Sequence, residues 1–150
     1  MSDLAKIILG ALGGLTVFVV GQLLARFFIE PLHELRKTVG EVRFNLAFHA
    51  PTIHTPIGRS KETSDKAREA LLKSSCQLMA NLHAVPCYEV TRLFAFGALP
   101  CSKAIEDAAV QLRGLSTYVY DTGEHANEAL EAIQQRVARV ESLLRLQPLA

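Results

Sequence analysis

The chain has 150 residues with 16 basic and 15 acidic side chains, so its formal net charge is +1. A nearly neutral chain has no overall positive field for nucleic acid, and we expect no nucleic-acid partner. Hydrophobic residues make up 49% of the sequence, which suits a membrane segment joined to helices. With about thirty residues assigned to a membrane, the remainder can form one modest core but not two domains.

An uncharged run of 19 residues extends from Ile7 to Ala25. As a helix it would be about 28 Å long, close to the roughly 30 Å of a bilayer's hydrocarbon core. A secretory signal peptide is the alternative, but the run is long for one and no small-residue cleavage site follows it. We therefore divide the chain into a transmembrane anchor, residues 1–30, and a cytoplasmic helical bundle, residues 31–150.

Basic residues predict how the anchor is oriented. Only Lys6 precedes the run, whereas Arg26, Arg36, Lys37 and Arg43 follow it. Because lysine and arginine favour the cytoplasmic side, we expect the N-terminus outside and the C-terminal domain in the cytoplasm. The same four residues can contact anionic lipid headgroups, so the lipid bilayer is the first expected partner.

Small residues share one face of the apolar run. Gly10 and Gly14 form a GxxxG pattern, Gly21 follows two helical turns later, and Val17 lies between them. We call these four residues the glycine face; Gln22 lies beside its end. Small residues let membrane helices approach closely, which favours self-association into a homo-oligomer. The alternative is a lipid-facing tether with incidental glycines.

The region after the anchor begins with a helix that starts or continues at Pro31 and extends to about Ala50. One stripe of this helix comprises Leu32, Leu35, Val39, Val42, Leu46 and His49. This stripe can continue the self-associating face of the anchor. Phe44 and Phe48 lie off the stripe and would pack against the rest of the domain. Residues 51–60, PTIHTPIGRS, have the composition of a loop.

Three further helices and one short helix follow. Residues 61–85 form a helix capped by Ser60 or Ser64, and residues 86–96 form a short buried helix ended by Gly97. Ser102 can cap the next helix, and the last runs from about Glu124 to Leu146. We predict an all-α fold with about four long helices plus one short, because no segment alternates like a strand.

Signals for chemistry are weak. The glycines at 10–14 lie in an apolar run and not after a strand, so they do not form a phosphate loop. His49 and His54 lack further ligands nearby, and Cys76 and His83 are too far apart on one helix to react together. Cys76, Cys87 and Cys101 form no CxxC pair, and we expect them to be buried or inert. We predict no catalytic, cofactor or metal site.

The stretch VGQLLARFFIEPLHELRKTVGEVRFNLAFHA, residues 20–50, resembles a group of small bacterial inner-membrane proteins of unknown function. The matching elements are Glu30–Pro31 after the span and the KTVGE element at residues 37–41. The stretch AVPCYEVTRLF, residues 84–94, also fits. The resemblance implies a single-pass bacterial inner-membrane protein, and it brings no catalytic residue with it.

These observations favour a non-enzymatic, homo-oligomeric inner-membrane protein that acts as a membrane-anchored scaffold or sensor. A ring of spans lining a pore is its narrower form. The alternative is a monomeric or dimeric tethered adaptor whose bundle binds a cytoplasmic protein, through an exposed apolar patch at residues 88–99. An enzyme would need polar groups such as His83, Cys87 or Tyr88 to converge in a bundle cavity.

Overall fold

The computed structural model describes residues 3–54, 60–94, 99–119 and 126–146, and these ranges are helical without any strand. The elements are α1 (Asp3–Leu24), a π-helical turn (Ala25–Ile29), α2 (Glu30–Phe48), α3 (Ala50–His54), α4 (Lys61–Ala84), α5 (Tyr88–Phe94), α6 (Ser102–Tyr118) and α7 (Ala126–Leu144). The all-α prediction is confirmed, with α2, α4, α6 and α7 as the long helices of the bundle. The last helix is described from Ala126, so its predicted start at Glu124 lies outside the described residues, as does Gly97.

Helices α1 and α2 are continuous through the π-helical turn. The Glu30 N–H donates to the Ala25 carbonyl five residues earlier, which is the wider π-type bond. Pro31 explains the position of this turn, because a proline has no N–H to donate and its ring crowds the carbonyl four residues before it. Pro31 therefore does not begin a separate helix, and it does not interrupt the continuous one. It lies in the first turn of α2.

Two side-chain hydrogen bonds fix the direction of α4 against α2. Asn81 Nδ2 donates to Thr38 Oγ1 at 2.6 Å, and Asn45 Nδ2 donates to Ser74 Oγ at 2.9 Å. Moving along α2 from Thr38 to Asn45 therefore means moving backwards along α4, so the helices are antiparallel. The C-terminal end of α4 lies beside the start of α2, close to the π-helical turn.

Further bonds join α6 to its neighbours. Ser75 Oγ in α4 donates to the Ala109 carbonyl of α6 at 2.8 Å, and Arg136 Nη1 in α7 donates to Gln111 Oε1 at 2.8 Å. Because Glu89, shortly after the end of α4, accepts a bond from Ser102 at the start of α6, α6 is antiparallel to α4. The short α3 places the buried Ile53 beside Leu46 and Val137, so it covers the side between α2 and α7.

One hydrophobic core lies inside this bundle and begins at Leu35. Its fully buried large side chains come from all parts of the bundle: Leu35, Val42, Leu46, Ile53, Leu71, Leu78, Ile105, Leu112, Leu115, Val119 and Val140. Fully burying each such side chain contributes roughly 1.5–3 kcal/mol. Helix α1 supplies none of them.

The predicted N-cap residue is confirmed for α4 and is wrong for α6. Ser60 is the N-cap of α4, as predicted, and its hydroxyl accepts the Thr63 N–H at 3.2 Å. The N-cap of α6 is Cys101 and not Ser102, and its side chain makes no capping bond. Glu89 Oε1 instead accepts the Ser102 N–H at 3.0 Å and the Ser102 hydroxyl at 2.7 Å. The Glu89 carboxylate of α5 therefore caps α6 in place of the predicted serine side chain. The positive end of the helix dipole also stabilises its negative charge.

Two further expectations are wrong. Residues 51–54 continue as α3 and are not loop, since a proline in a first helical turn loses no hydrogen bond. The predictions for the two apolar faces of α2 are also wrong. The stripe containing Leu35, Val42 and Leu46 is buried in the core, so it does not extend the glycine face, whereas Phe44 and Phe48 are exposed.

Candidate functional site

Helix α1 presents its described side chains to the exterior. Within the continuous helix Ile7–Phe48, an 18-residue window has a mean hydropathy of 2.2 and none of it is buried. Its large apolar side chains, among them Ile7, Leu15, Val17 and Phe18, are all exposed. By length and composition this helix could cross a membrane. A surface this apolar is unusual outside a membrane or an interface.

The glycine face is open in the single chain. A Cβ atom built on Gly10, Gly14 or Gly21 would meet nothing within 4 Å. Val17 and Gln22 are exposed beside them. No group in the described residues therefore explains these glycines as a packing requirement of the monomer, and their role in self-association stays a prediction.

The four basic residues predicted to contact headgroups lie at different distances from the end of α1. Arg26 is exposed within the π-helical turn. At about 1.5 Å per residue, Arg36 and Lys37 lie roughly 15 Å further along the helix and Arg43 roughly 25 Å. Lys37 also approaches the Glu34 carboxylate at 3.7 Å. The predicted lipid contact is therefore strongest for Arg26.

The two phenylalanines of α2 form an exposed aromatic pair. The Phe44 and Phe48 rings stack with centroids 5.6 Å apart, and they are 64% and 66% exposed. Phe44 is two residues from both Val42 and Leu46, so it lies on the side of α2 opposite the core. The His49 ring meets Phe48 edge-on at 5.0 Å, and partial burial lowers the pKa of His49.

A second exposed apolar surface lies on α5. Val90 and Leu93, one helical turn apart, are 57% and 78% exposed. Val90 and Thr91 line a groove of about 330 Å³ together with Leu24 of α1 and Phe28 of the π-helical turn.

The prediction of a short buried helix is therefore wrong for Val90 and Leu93, which are exposed because they lie on the side of α5 opposite the buried Tyr88 and Thr91. The adaptor alternative requires such a patch within residues 88–99, of which 95–98 lie outside the described residues. The two exposed residues lie beside the end of the apolar helix.

The groups considered for chemistry do not converge. His83 and Cys87 are exposed, whereas Tyr88 is buried and its hydroxyl donates to the Pro100 carbonyl at 2.7 Å. Among the described residues, no three His, Cys, Asp or Glu side chains are placed to hold a metal ion. The side chain of His54 lies outside the described residues. The cysteines are expected to be buried or inert. Burial is wrong for Cys76 and Cys87, which are exposed, and Cys101 is half-buried; their inertness stays a prediction.

Two pKa shifts belong to this end of the bundle. Burial, with the neighbouring Glu89 charge, raises the pKa of Tyr88 to about 12. Hydrogen bonds from the Ser102 backbone and hydroxyl, and then from Arg92, lower the pKa of Glu89. Both groups tie α5 to its neighbours: Tyr88 to Pro100, and Glu89 to the start of α6. Their arrangement is that of a fixed structural joint.

Comparison with protein families, curated proteins and solved structures finds no match to this chain.

Proposed function

We propose that this protein is a non-enzymatic scaffold or sensor of the bacterial inner membrane, anchored by α1 and assembled as a homo-oligomer. The observation that carries the proposal is that the buried core and the exposed apolar helix lie in separate parts of the chain. The described core residues all lie within α2–α7, while α1 is long, apolar and exposed. A helix that places no described side chain in that core is suited to a bilayer and to other copies of itself.

The glycine face supports assembly over simple tethering. Lipid offers no hydrophobic driving force between helices, so association depends on close van der Waals packing. Gly10, Gly14 and Gly21 leave open space for a partner backbone. Gln22, exposed near the end of the run, adds an amide that a neighbouring chain can satisfy.

A ring of spans around a pore is the narrower form of this proposal. Thr16 and Gln22 are the polar side chains in the middle and at the end of the run. The Thr16 hydroxyl donates to the Leu12 carbonyl at 2.8 Å, so its hydrogen is already used within the helix. This polar lining is sparse, and we favour a scaffold over a channel.

Native mass spectrometry of the full-length protein in nanodiscs tests the proposal. We expect one oligomeric state for the wild type and weaker assembly for Gly14→Leu. Overpacking a close contact costs about 1–3 kcal/mol, which corresponds to roughly 5- to 150-fold in dissociation constant. Gly13→Leu is the matched comparison and should matter less, since Gly13 has the same open space but lies about 70° around the helix from the centre of the glycine face. Equal effects at both positions, or a monomeric wild type, would refute the proposed interface.

The exposed thiols allow a test of orientation without any engineered label. Cys76 and Cys87 are exposed on the bundle. With the C-terminal domain in the cytoplasm, a membrane-impermeant maleimide should not label these thiols in intact spheroplasts. It should label them once the spheroplasts are lysed. Labelling before lysis would place the bundle outside and reverse the predicted topology.

The Phe44–Phe48 pair favours a second candidate function, a monomeric or dimeric adaptor whose bundle binds a cytoplasmic protein. Large aromatic side chains are the usual anchors of such contacts. If the wild type is a monomer or dimer, a photo-reactive residue at position 44 should crosslink to one partner protein. Crosslinking only to a second copy would instead assign the pair to self-association.

A further inference from the structure

Helix α5 lies beside the point where α1 meets the bundle. The bond from Asn81 to Thr38 places the C-terminal end of α4 near the start of α2. Helix α5 follows α4 after a three-residue turn, and Val90 and Thr91 share a groove with Leu24 and Phe28. The short helix is therefore adjacent to the last turn of the apolar run.

The inner face of α5 is held in place by several bonds. The Tyr88 hydroxyl donates to the Pro100 carbonyl at 2.7 Å, and the Thr91 hydroxyl donates to the Pro86 carbonyl at 3.0 Å. Arg92 Nε donates to the Leu99 carbonyl at 3.1 Å. These bonds keep this face inward and leave Val90 and Leu93 on the outer side of α5.

The charged side chains of α5 are paired, although Glu89 is 54% exposed and lies at the edge of the outer face beside Leu93. The Glu89 carboxylate accepts bonds from Ser102 and approaches Arg92 Nη1 at 3.1 Å. The one acidic and one basic side chain of this helix thus pair with each other and with neighbouring elements. The outer face presents Val90 and Leu93 without a charge between them on that side.

We propose that Val90 and Leu93 dock into the lipid surface, with a lipid acyl chain in the groove formed with Leu24 and Phe28. Continuity with α1 selects this occupant, because one wall of the groove belongs to the end of the proposed membrane span. Short amphipathic helices lie in the interface with their apolar face about 5–10 Å deep. Helix α5 would thus be a second membrane contact that orients the bundle. This inference rests on the membrane anchoring proposed above.

Tryptophan fluorescence in vesicles tests the docking, because the natural sequence contains no tryptophan. Each full-length variant then carries a single probe at an exposed apolar position. Leu93→Trp reports on α5 and Phe18→Trp reports on α1. The vesicles contain phosphatidylcholine and phosphatidylglycerol, with chains brominated either near the headgroup or near the chain end. Circular dichroism shows that each variant retains its helices.

Val110→Trp is the matched control for an exposed apolar residue away from the membrane. Ser75 bonds to Ala109, and the adjacent Ser74 bonds to Asn45. Asn45 lies sixteen residues beyond Ile29 in a continuous helix, or about 24 Å at 1.5 Å per residue. Val110 is therefore beyond the reach of the lipid chains.

The expected result is a different quenching pattern for each probe. The fluorescence of Phe18→Trp should be quenched most by bromine near the chain end. Bromine near the headgroup should quench Leu93→Trp about twofold, because the probe lies at a depth of roughly 5–10 Å. Neither bromine position should quench Val110→Trp. If Phe18→Trp is quenched while Leu93→Trp behaves like Val110→Trp, the docking of α5 is wrong and the anchor remains. If Leu93→Trp shifts to the blue without bromine quenching, a second protein copy covers it, which also overturns the inference. Failure of Phe18→Trp to be quenched would reject the membrane anchor itself.

Discussion

Deleting residues 1–29 should leave a bundle that folds by itself. No buried side chain precedes Leu35 in the described residues, and the core lies within α2–α7. The deletion cuts the chain just before Glu30 and Pro31. Proline suits the first turn of a helix, so the new N-terminus is a good start for α2.

The stability lost with α1 can be bounded from the groove. Val90 is the large apolar side chain of the bundle that lines it, and it is already 57% exposed with α1 in place. Because burying a whole valine contributes about 1.5–3 kcal/mol, the share that α1 supplies at Val90 is at most about 1 kcal/mol. Leu24 and Phe28 are 53% and 38% exposed, so they are partly buried on the other side of the groove, and the total loss is about 1–2 kcal/mol. By contrast, Leu71→Ala at a fully buried position should cost about 2–5 kcal/mol.

Hydrogen exchange compares the two proteins on one scale. Amides of α4 and α6 in the fragment should keep the protection they have in the full chain in nanodiscs, within about 30-fold, which corresponds to about 2 kcal/mol. The fragment should also unfold cooperatively in urea, and Leu71→Ala should lower its midpoint clearly. An aggregated fragment, or one without a cooperative transition, would show that α1 completes the core and would refute this reasoning.

Three smaller perturbations follow from single contacts. Thr38→Val should destabilise the fragment by about 1 kcal/mol, and a double-mutant cycle with Asn81→Leu in urea denaturation should give a similar coupling; independent effects would contradict the 2.6 Å bond. Because the pKa of Tyr88 is raised from 10 to about 12, its phenol stabilises the fold fully below pH 10 and this stability is lost as the pH rises through 12. Tyr88→Phe should remove that component of the pH dependence between pH 10 and 12, and an unchanged profile would assign it elsewhere. Ser60→Ala should cost about 1 kcal/mol through loss of the N-cap, whereas Ser60→Asp should retain most of the stability.

The long helices could be predicted because their pattern is local. Apolar residues three and four apart, such as Leu78 and Leu82 in α4 or Leu112 and Leu115 in α6, mark one face of a helix, and the structure buries that face. The Ser60 cap is equally local, since its partner is three residues away. The composition of residues 51–60 predicts a loop and not α3, because proline is a common loop residue and fits equally well in a first helical turn.

The candidate surfaces were only partly predictable. The small residues of the glycine face are visible in the sequence. The structure leaves open space beside them, as it does beside Gly13, so their role in self-association stays a prediction. The apolar patch at Val90 and Leu93 was expected as a place for a protein partner. Its position beside Leu24 and Phe28 depends on contacts between residues more than sixty apart, which no periodicity contains.

By itself the sequence determined the helical class, the long apolar N-terminal helix and the stripes that form the core, because each depends on residues within a few turns of each other. Tertiary structure alone decided which apolar face of α2 is buried. It selected the stripe of Leu35, Val42 and Leu46, which meets α4, and left Phe44 and Phe48 outside. It also supplied Glu89 in place of a local cap for α6, and brought α5 to the end of α1. These outcomes depend on how antiparallel helices pair, and that pairing is a property of the whole chain.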